Sequence, residues 1–195
     1  MPRFAIDVVI LLPPPVVDLA IAWNRRLSLL SKQSIELNNI DLLPHISLLM
    51  GCVDGHNLHA AVGLLQSVFK NTPLMTLDVM GLKFTEDSHP VAVLDIRPSS
   101  SLLALQQSLL VKLGPLMTQD ATEADLYGAP PDSASAVKWI NSFREEQVGL
   151  KFWPHVTLGH GRIGETQEAF SFTPDRLAIC HLGKHCTCRD VLGFV

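Results

Sequence analysis

Pro44-His45-Ile46-Ser47-Leu48-Leu49-Met50-Gly51 and Pro154-His155-Val156-Thr157-Leu158-Gly159-His160-Gly161 share one pattern, and we call them the first and second histidine motifs. Each reads proline, histidine, β-branched aliphatic residue, hydroxyl residue, leucine, two variable residues and glycine. Because the whole chain holds only eight histidines, two such copies are not expected by chance. The repeat indicates that both motifs serve one site.

The spacing within each motif is informative if the motifs are β-strands. Side chains alternate between the two faces of a strand, so His45 and Ser47 share one face, as do His155 and Thr157. The aliphatic residue between them points the other way, into apolar packing. Two such strands, brought together across a pseudo-twofold axis, would present two imidazoles and two hydroxyls to one small volume.

That set of groups fits the cleavage of a phosphodiester. One neutral imidazole can take a proton from the attacking water or hydroxyl, and one imidazolium can give a proton to the leaving oxygen. The hydroxyls can donate hydrogen bonds to the non-bridging phosphate oxygens. The scheme needs neither metal nor cofactor. A single histidine on a strand is more often structural, but a matched pair favours a functional site.

Apolar periodicity predicts the elements around the first motif. The polar connection between the last two of them, Thr85-Glu86-Asp87-Ser88-His89-Pro90, suits a hairpin. In the helix that follows the three prolines 13–15, Trp23 and Leu27 lie on the inner face and Asn24, Arg25 and Ser28 lie away from it. The predicted elements are a strand over 4–12, a helix over 16–31, the motif strand over 42–50, a turn between Gly51 and Gly55, a helix over 56–70 and strands over 74–84 and 91–97.

The second half repeats the order of strand, helix, motif strand and further strands. A helix that 99–101 cap should end at Leu113, 118–133 should form a surface loop, and Ser133 should cap a short helix. The second motif strand should cover 152–159, and 176–181 with 186–194 should form a closing hairpin. We predict an α+β fold in which one domain, 1–195, has two pseudo-symmetric lobes, about 1–85 and 86–195, between which strands can be exchanged. Each lobe is mostly antiparallel sheet with outer helices, and a cleft lies between them.

The composition restricts the classes of partner. The net charge is −4 and only 17% of residues are charged, so the chain lacks the basic surface that long duplex nucleic acid requires. No apolar run is long enough to cross a bilayer, and Asp7 interrupts the N-terminal apolar run. We expect a cytoplasmic monomer with no membrane partner, whose four cysteines are reduced thiols.

With two His-x-Ser/Thr motifs in the two related halves of a chain of about 200 residues, this sequence resembles the 2H phosphoesterase superfamily. It is most similar to the 2′-5′ RNA ligase-like and cyclic phosphodiesterase branch. The resemblance covers nearly the whole chain. It implies that His45 and His155 are catalytic and that Ser47 and Thr157 bind phosphate. It also implies substrates such as 2′,3′-cyclic phosphates on nucleotides or RNA ends, opened to a 2′-phosphate, with ligation of 2′-5′ linkages as the reverse of a related step.

Three aromatic residues are weaker candidates for stacking on a nucleobase: Trp153, Phe84 and Tyr127. Trp153 should share the face of His155, whereas Phe152 should not and is assigned to the core. Alternation places His160 on the opposite face, so it is left out of the site.

Other functions stay open. The pocket could serve a non-catalytic module that binds nucleotides or RNA ends. Alternatively, a metallohydrolase could use His45 and His155 as ligands, although no carboxylate stands at ligand spacing near either motif. The group Cys180, His181, His185, Cys186 and Cys188 could bind zinc, but its spacing fits buried thiols better.

Overall fold

The computed structural model describes residues 2–30, 35–73 and 75–195. These ranges contain four α-helices: α1 (Pro14–Leu30), α2 (Leu58–Lys70), α3 (Ser100–Leu113) and α4 (Ala134–Glu146). They contain nine strands: β1 (Arg3–Leu11), β2 (His45–Asp54), β3 (Leu77–Phe84), β4 (Val91–Ile96), β5 (Met117–Thr118), β6 (His155–His160), β7 (Phe170–Phe172), β8 (Arg176–Leu182) and β9 (Cys188–Phe194). The predicted end of the first helix, Ser31, and the predicted start of β3, Leu74, lie outside the described residues.

One sheet joins these strands, in the order β7-β3-β4-β6-β2-β1-β8-β9, with β5 beside β2. Each pairing within the described part of the chain is antiparallel. The predicted α+β class is therefore confirmed. Strand β3 from the first half pairs with β4 and β7 from the second half, while β8 from the second half pairs with β1 from the first. The division into lobes stays a prediction.

The helices divide between the two faces of the sheet. α1, α2 and α3 pack on one face, over a core that includes Ile6, Val8, Ile10, Ile46 and Val156. α4 lies on the other face, against β2. Because alternate residues of β1 enter different clusters, the strand is buried on both faces. No helix within the described ranges is both long and apolar enough to span a membrane.

Several predicted boundaries are wrong for identifiable reasons. Gly51 does not begin a turn: β2 continues to Asp54, because Gly51 pairs with Ile6. Replacing Gly51 would place a Cβ 2.8 Å from the backbone oxygen of Thr118, so glycine lets β5 approach. The predicted surface loop 118–133 instead packs into the core through Ala121 and Leu126. Strand β7 was not predicted, because three residues are too few to show a period.

The helix predicted after Ser133 is present, but its cap is not. The hydroxyl of Ser133 donates to the carbonyl of Pro130, and its backbone N–H donates to Glu123. The preceding helix is capped as predicted, since Ser99 Oγ accepts the N–H of Leu102.

The expectation of four reduced cysteines is wrong for two of them. Cys180 on β8 and Cys188 on β9 form a disulfide with Cα atoms 5.4 Å apart, whereas Cys52 and Cys186 are free. Adjacent antiparallel strands bring Cα atoms to about that distance. The strand pairing was predicted, but the disulfide does not follow from it, because in the observed register Cys180 pairs with Val191 and Cys188 pairs with Leu182.

Candidate active site

The two histidine motifs lie on neighbouring strands at the centre of the sheet. Ile46 on β2 pairs with Val156 on β6, and both point into the helix-covered core. In this antiparallel register the histidine of each motif lies directly across from the hydroxyl residue of the other motif. All four side chains are on the face of the sheet that points away from Ile46 and Val156. The two histidines form a diagonal pair, for which backbone separation is roughly 7–8 Å. The histidine and the hydroxyl residue of each motif line one cleft of about 390 Å³: His45, Ser47, His155 and Thr157.

A β-bulge interrupts each motif strand at the same position. The pairing of β1 with β2 skips Leu48, and the pairing of β4 with β6 skips Leu158. The extra residue at each bulge shifts the alternation of side chains between the two faces of the sheet by one position. Met50 and His160, which follow the bulges, therefore point into the cleft. The prediction that His160 lies on the opposite face is therefore wrong.

Two buried amide side chains hold the bulges. Asn24 on α1, 2% exposed, donates from Nδ2 to the carbonyl of Leu158 at 2.6 Å. Gln106 on α3, 1% exposed, donates from Nε2 to the carbonyl of Leu48 at 3.1 Å. Each helix thus supports the motif strand of the other half of the chain. The prediction that Asn24 lies away from the core is wrong, because a buried carbonyl freed from the ladder needs a donor.

We expect Asn24→Leu to lower the free energy of unfolding by roughly 2–4 kcal/mol, because Leu158 O, Ile35 O and Leu37 N all lose their partner. Urea unfolding measures the change. Asn39→Leu is the matched control, because Asn39 is exposed, and it should change stability by less than about 0.5 kcal/mol. Equal losses in the two variants would show that the contacts of Asn24 contribute nothing specific.

The two imidazole rings are oriented in the same way. Nδ1 of His45 lies 2.7 Å from the carbonyl oxygen of Leu43, and Nδ1 of His155 lies 2.8 Å from that of Trp153. A carbonyl only accepts, so Nδ1 carries the hydrogen in both rings. In a neutral ring Nε2 is then the basic nitrogen, free to exchange a proton with a bound molecule.

The surroundings of Nε2 differ between the two histidines. Asp7, on β1, is fully buried, and its Oδ2 lies 3.5 Å from Nε2 of His45. The hydroxyl of Ser47 donates to the same oxygen at 2.6 Å. Asp7 was not predicted as a site residue, because in the sequence it is visible only as one charged residue within an apolar strand.

These surroundings move the two imidazole pKa values apart. Burial disfavours the charged form of His45, but the carboxylate of Asp7 outweighs it and raises the pKa of His45. Burial lowers the pKa of His155, and the charge of His45 lowers it further. Burial also raises the pKa of Asp7 itself. His45 is therefore the imidazole that keeps its proton to higher pH and His155 the one that loses its proton first, which is the order that a general acid and a general base require.

The two hydroxyls differ as well. The proton of Ser47 is directed to Asp7, whereas the hydroxyl of Thr157 makes no hydrogen bond within the described part of the chain. In this arrangement Thr157 is the hydroxyl that is ready to donate to a phosphate oxygen. The phosphate-binding role of both residues stays a prediction.

Comparison with known families agrees with this geometry. The sequence model of the 2′-5′ RNA ligase superfamily matches residues 25–177, which contain both histidine motifs. The chain belongs to the 2′-5′ RNA ligase superfamily. The resemblance inferred from the two motifs is therefore confirmed. Among curated proteins, none matches the chain in sequence.

Two crystal structures share the fold. TT0787 of Thermus thermophilus superposes with a TM-score of 0.62 at 13% identity, covering 97% of this chain and 96% of that one. LigT of E. coli, in its apo form, superposes with a TM-score of 0.58 at 13% identity, covering 100% of this chain and 98% of that one. At this level of identity the likeness concerns the fold.

Within this superfamily fold, aromatic side chains form much of the cleft wall. Trp153 lies against His155, with ring centroids 4.5 Å apart, and its Nε1 donates to Asp95 at 2.6 Å. Lys83 Nζ lies 4.9 Å from the Trp153 ring centroid. Phe152, assigned to the core from the sequence, is buried but also lines the cleft. Sequence reasoning did not single out Trp139, which lines the cleft as well.

The other two aromatic candidates lie outside the cleft lining. Phe84 packs under the guanidinium of Arg162. Tyr127 lies edge-on to His181 and beneath Arg189. Phe84 ends β3 and Tyr127 lies within 118–133, but neither ring is among the residues that line the cleft with the histidines.

The cysteine and histidine residues near the C-terminus are divided between different surroundings. Cys180 and Cys188 are bonded to each other, and Nε2 of His181 contacts the carbonyl oxygen of Asp125. His185 faces the cleft, 6.1 Å from His160 between ring centroids. Within residues 2–30, 35–73 and 75–195, no three His, Cys, Asp or Glu side chains are gathered as ligands for one metal ion.

Proposed function

We propose that this protein hydrolyses cyclic phosphodiesters, with 2′,3′-cyclic nucleotides as the substrate class, by two-histidine acid–base catalysis. Water attacks phosphorus and gives its proton to Nε2 of His155. The P–O3′ bond breaks as His45 gives its proton to O3′, which leaves a 2′-phosphate. Solvent then returns both histidines to their starting states. Thr157 donates a hydrogen bond to a non-bridging oxygen, where charge develops.

One observation carries the proposal. Two imidazoles with the same ring orientation line one cleft, and their pKa values are displaced in opposite directions from one ordinary value. Two histidines with a purely structural role do not need pKa values that are shifted in opposite directions, whereas a general acid and a general base do. Membership of the 2′-5′ RNA ligase superfamily supports the same class of chemistry.

The walls of the cleft support a compact substrate. Trp139, Phe143, Phe152 and Trp153 offer apolar surface that suits a nucleobase. None of the lining residues that the structure describes is Lys or Arg, and Lys83, which lies over the Trp153 ring, is already paired with Asp95. A second or third phosphate of an RNA strand therefore finds little counter-charge there. A mononucleotide cyclic phosphate therefore fits better than a longer RNA end.

Turnover of a 2′,3′-cyclic mononucleotide should survive exhaustive chelation, since the proposed proton transfers use protein groups alone. The measurement compares kcat/KM before and after EDTA treatment. An oligonucleotide that ends in a 2′,3′-cyclic phosphate should give a kcat/KM no larger than the mononucleotide, with weak dependence on salt.

Two results would replace the proposal. Activity that EDTA removes and a divalent metal restores would make the histidines metal ligands. Saturable binding of nucleotides without turnover, across a panel of cyclic and linear phosphodiesters, would make the protein a binding module.

A further inference from the structure

The pseudo-twofold symmetry of the site is broken beside the first motif. Asp7 is the β1 partner of Met50, and Val91 is the corresponding β4 partner of His160. A carboxylate thus stands beside the first motif where the second motif has an isopropyl group. The asymmetry lies directly behind the cleft lining, because Asp7 is fully buried and contacts the lining residues His45 and Ser47. There the effective dielectric constant is low and charge acts strongly.

Asp7 is placed to act on His45. A buried carboxylate is costly unless a cation compensates it. Within the described ranges, the one ion pair of Asp7 is with His45, and its Oδ1 has no hydrogen-bond partner. At 3.5 Å the contact from Oδ2 to Nε2 is longer than a directional hydrogen bond, so the carboxylate can hold the charge of the ring without binding its proton tightly.

The other charged and titratable groups around the cleft do not replace Asp7. Burial, and then the charge of Asp7, raises the pKa of the Cys186 thiol, so Cys186 stays neutral. Burial lowers the pKa of His185, as do the charges of His160 and Lys184. Asp95 and Lys83 act on His155 with opposite signs. The titratable and charged groups that face the two histidines from the surrounding elements are Asp7, Lys83, Asp87, Asp95, His160, His185 and Cys186.

We propose that Asp7 is a positioning residue that keeps His45 protonated and so assigns His45 as the general acid and His155 as the general base. This inference rests on the proposed function. The leaving oxygen then binds at the Asp7 end of the cleft, and the attacking water binds beside His155 and Thr157. Asp7 thereby gives the two histidines of otherwise pseudo-symmetric motifs different roles.

The test begins with NMR titration of the imidazole Cε1–H signals in the full chain, assigned with His45→Ala and His155→Ala. His45 should titrate above His155 in the wild-type protein. In Asp7→Asn, which keeps the shape of the side chain and an acceptor for Ser47, the midpoint of His45 should fall by at least about one pH unit. An unchanged midpoint, or a wild-type protein in which His155 titrates above His45, overturns the inference; the wild-type titration decides even where the variant fails to fold.

The second measurement is the pH dependence of kcat/KM. Asp7→Asn should move the high-pH limb of the profile to lower pH. For each pH unit by which the limb moves, kcat/KM at pH values above the limb should fall tenfold. Asp95→Asn is the matched comparison and should move only the low-pH limb, since Asp95 acts on His155. A loss of activity at all pH values with both limbs in place would mean that Asp7 is merely structural, and would overturn the inference.

The two measurements separate the inference from the function on which it rests. The titration needs no substrate. If no phosphodiester is turned over but Asp7→Asn shifts His45 as expected, the proposed function and the acid role fail together, while the charging of His45 by Asp7 stands.

Discussion

Alanine in place of His155 should lower kcat/KM for a 2′,3′-cyclic nucleotide by roughly 10²–10⁴-fold, the range attributed to one general acid–base group. His155 is the imidazole more readily available as a base, because burial and the charge of the nearby His45 lower its pKa. The variant should also lose the low-pH limb of the profile, since that limb reports protonation of His155. Initial rates between pH 5 and 9 measure both effects.

The matched control for this substitution is His59→Ala. His59 is exposed on α2, outside the cleft lining, so its removal should leave kcat/KM unchanged. Circular dichroism and thermal unfolding establish that each variant is folded. If His155→Ala retained more than a tenth of the wild-type kcat/KM and kept the low-pH limb, His155 would not be the base.

The pairing of the two motifs was predictable because it depends on short-range regularities. Alternation within each motif indicated that histidine and hydroxyl residue share a face, and the repeat indicated that both strands meet. The adjacent strands β2 and β6 agree with this. The helices followed for a similar reason, since their apolar faces recur every three or four residues.

The features that the sequence did not reveal depend on contacts between distant residues. Asp7 and Ser47 are 40 positions apart, and Asn24 reaches Leu158 across 134 positions. No local pattern distinguishes a buried Asn that supports a bulge from an Asn on an exposed helix face. His160 was misplaced for the same reason, because alternation assumes an unbroken ladder and a single bulge reverses it.

The backbone of the site is therefore nearly symmetric, whereas the surroundings of its two imidazoles are not. Two bulges, held by Asn24 and Gln106, place the two motif strands equivalently. The environment then distinguishes the two imidazoles, with Asp7 beside His45 and Trp153 against His155. The two matching strands bring two imidazoles to one cleft, and single residues around them supply the difference in pKa that the reaction needs.

His45→Ala should show a loss that depends on the leaving group. For a 2′,3′-cyclic nucleotide, whose departing alkoxide needs a proton, kcat/KM should fall by roughly 10²–10⁴-fold. For bis(p-nitrophenyl) phosphate, whose phenolate leaves without protonation, the fall should be at least tenfold smaller. His155→Ala should lose activity on both substrates, because water still requires a base. The ratio of the two losses in each variant measures which histidine is the acid.

The same variant removes the cation beside Asp7, so the pKa of that carboxyl should rise further above its ordinary value. A buried group with a raised pKa destabilises the fold as pH increases, because ionisation is easier in the unfolded chain. His45→Ala should therefore unfold at lower urea concentration at pH 8 than at pH 5.5, and Asp7→Asn in the same chain should abolish that difference. Equal losses on both phosphodiesters, with no pH-dependent loss of stability, would contradict both the acid role of His45 and its pairing with Asp7.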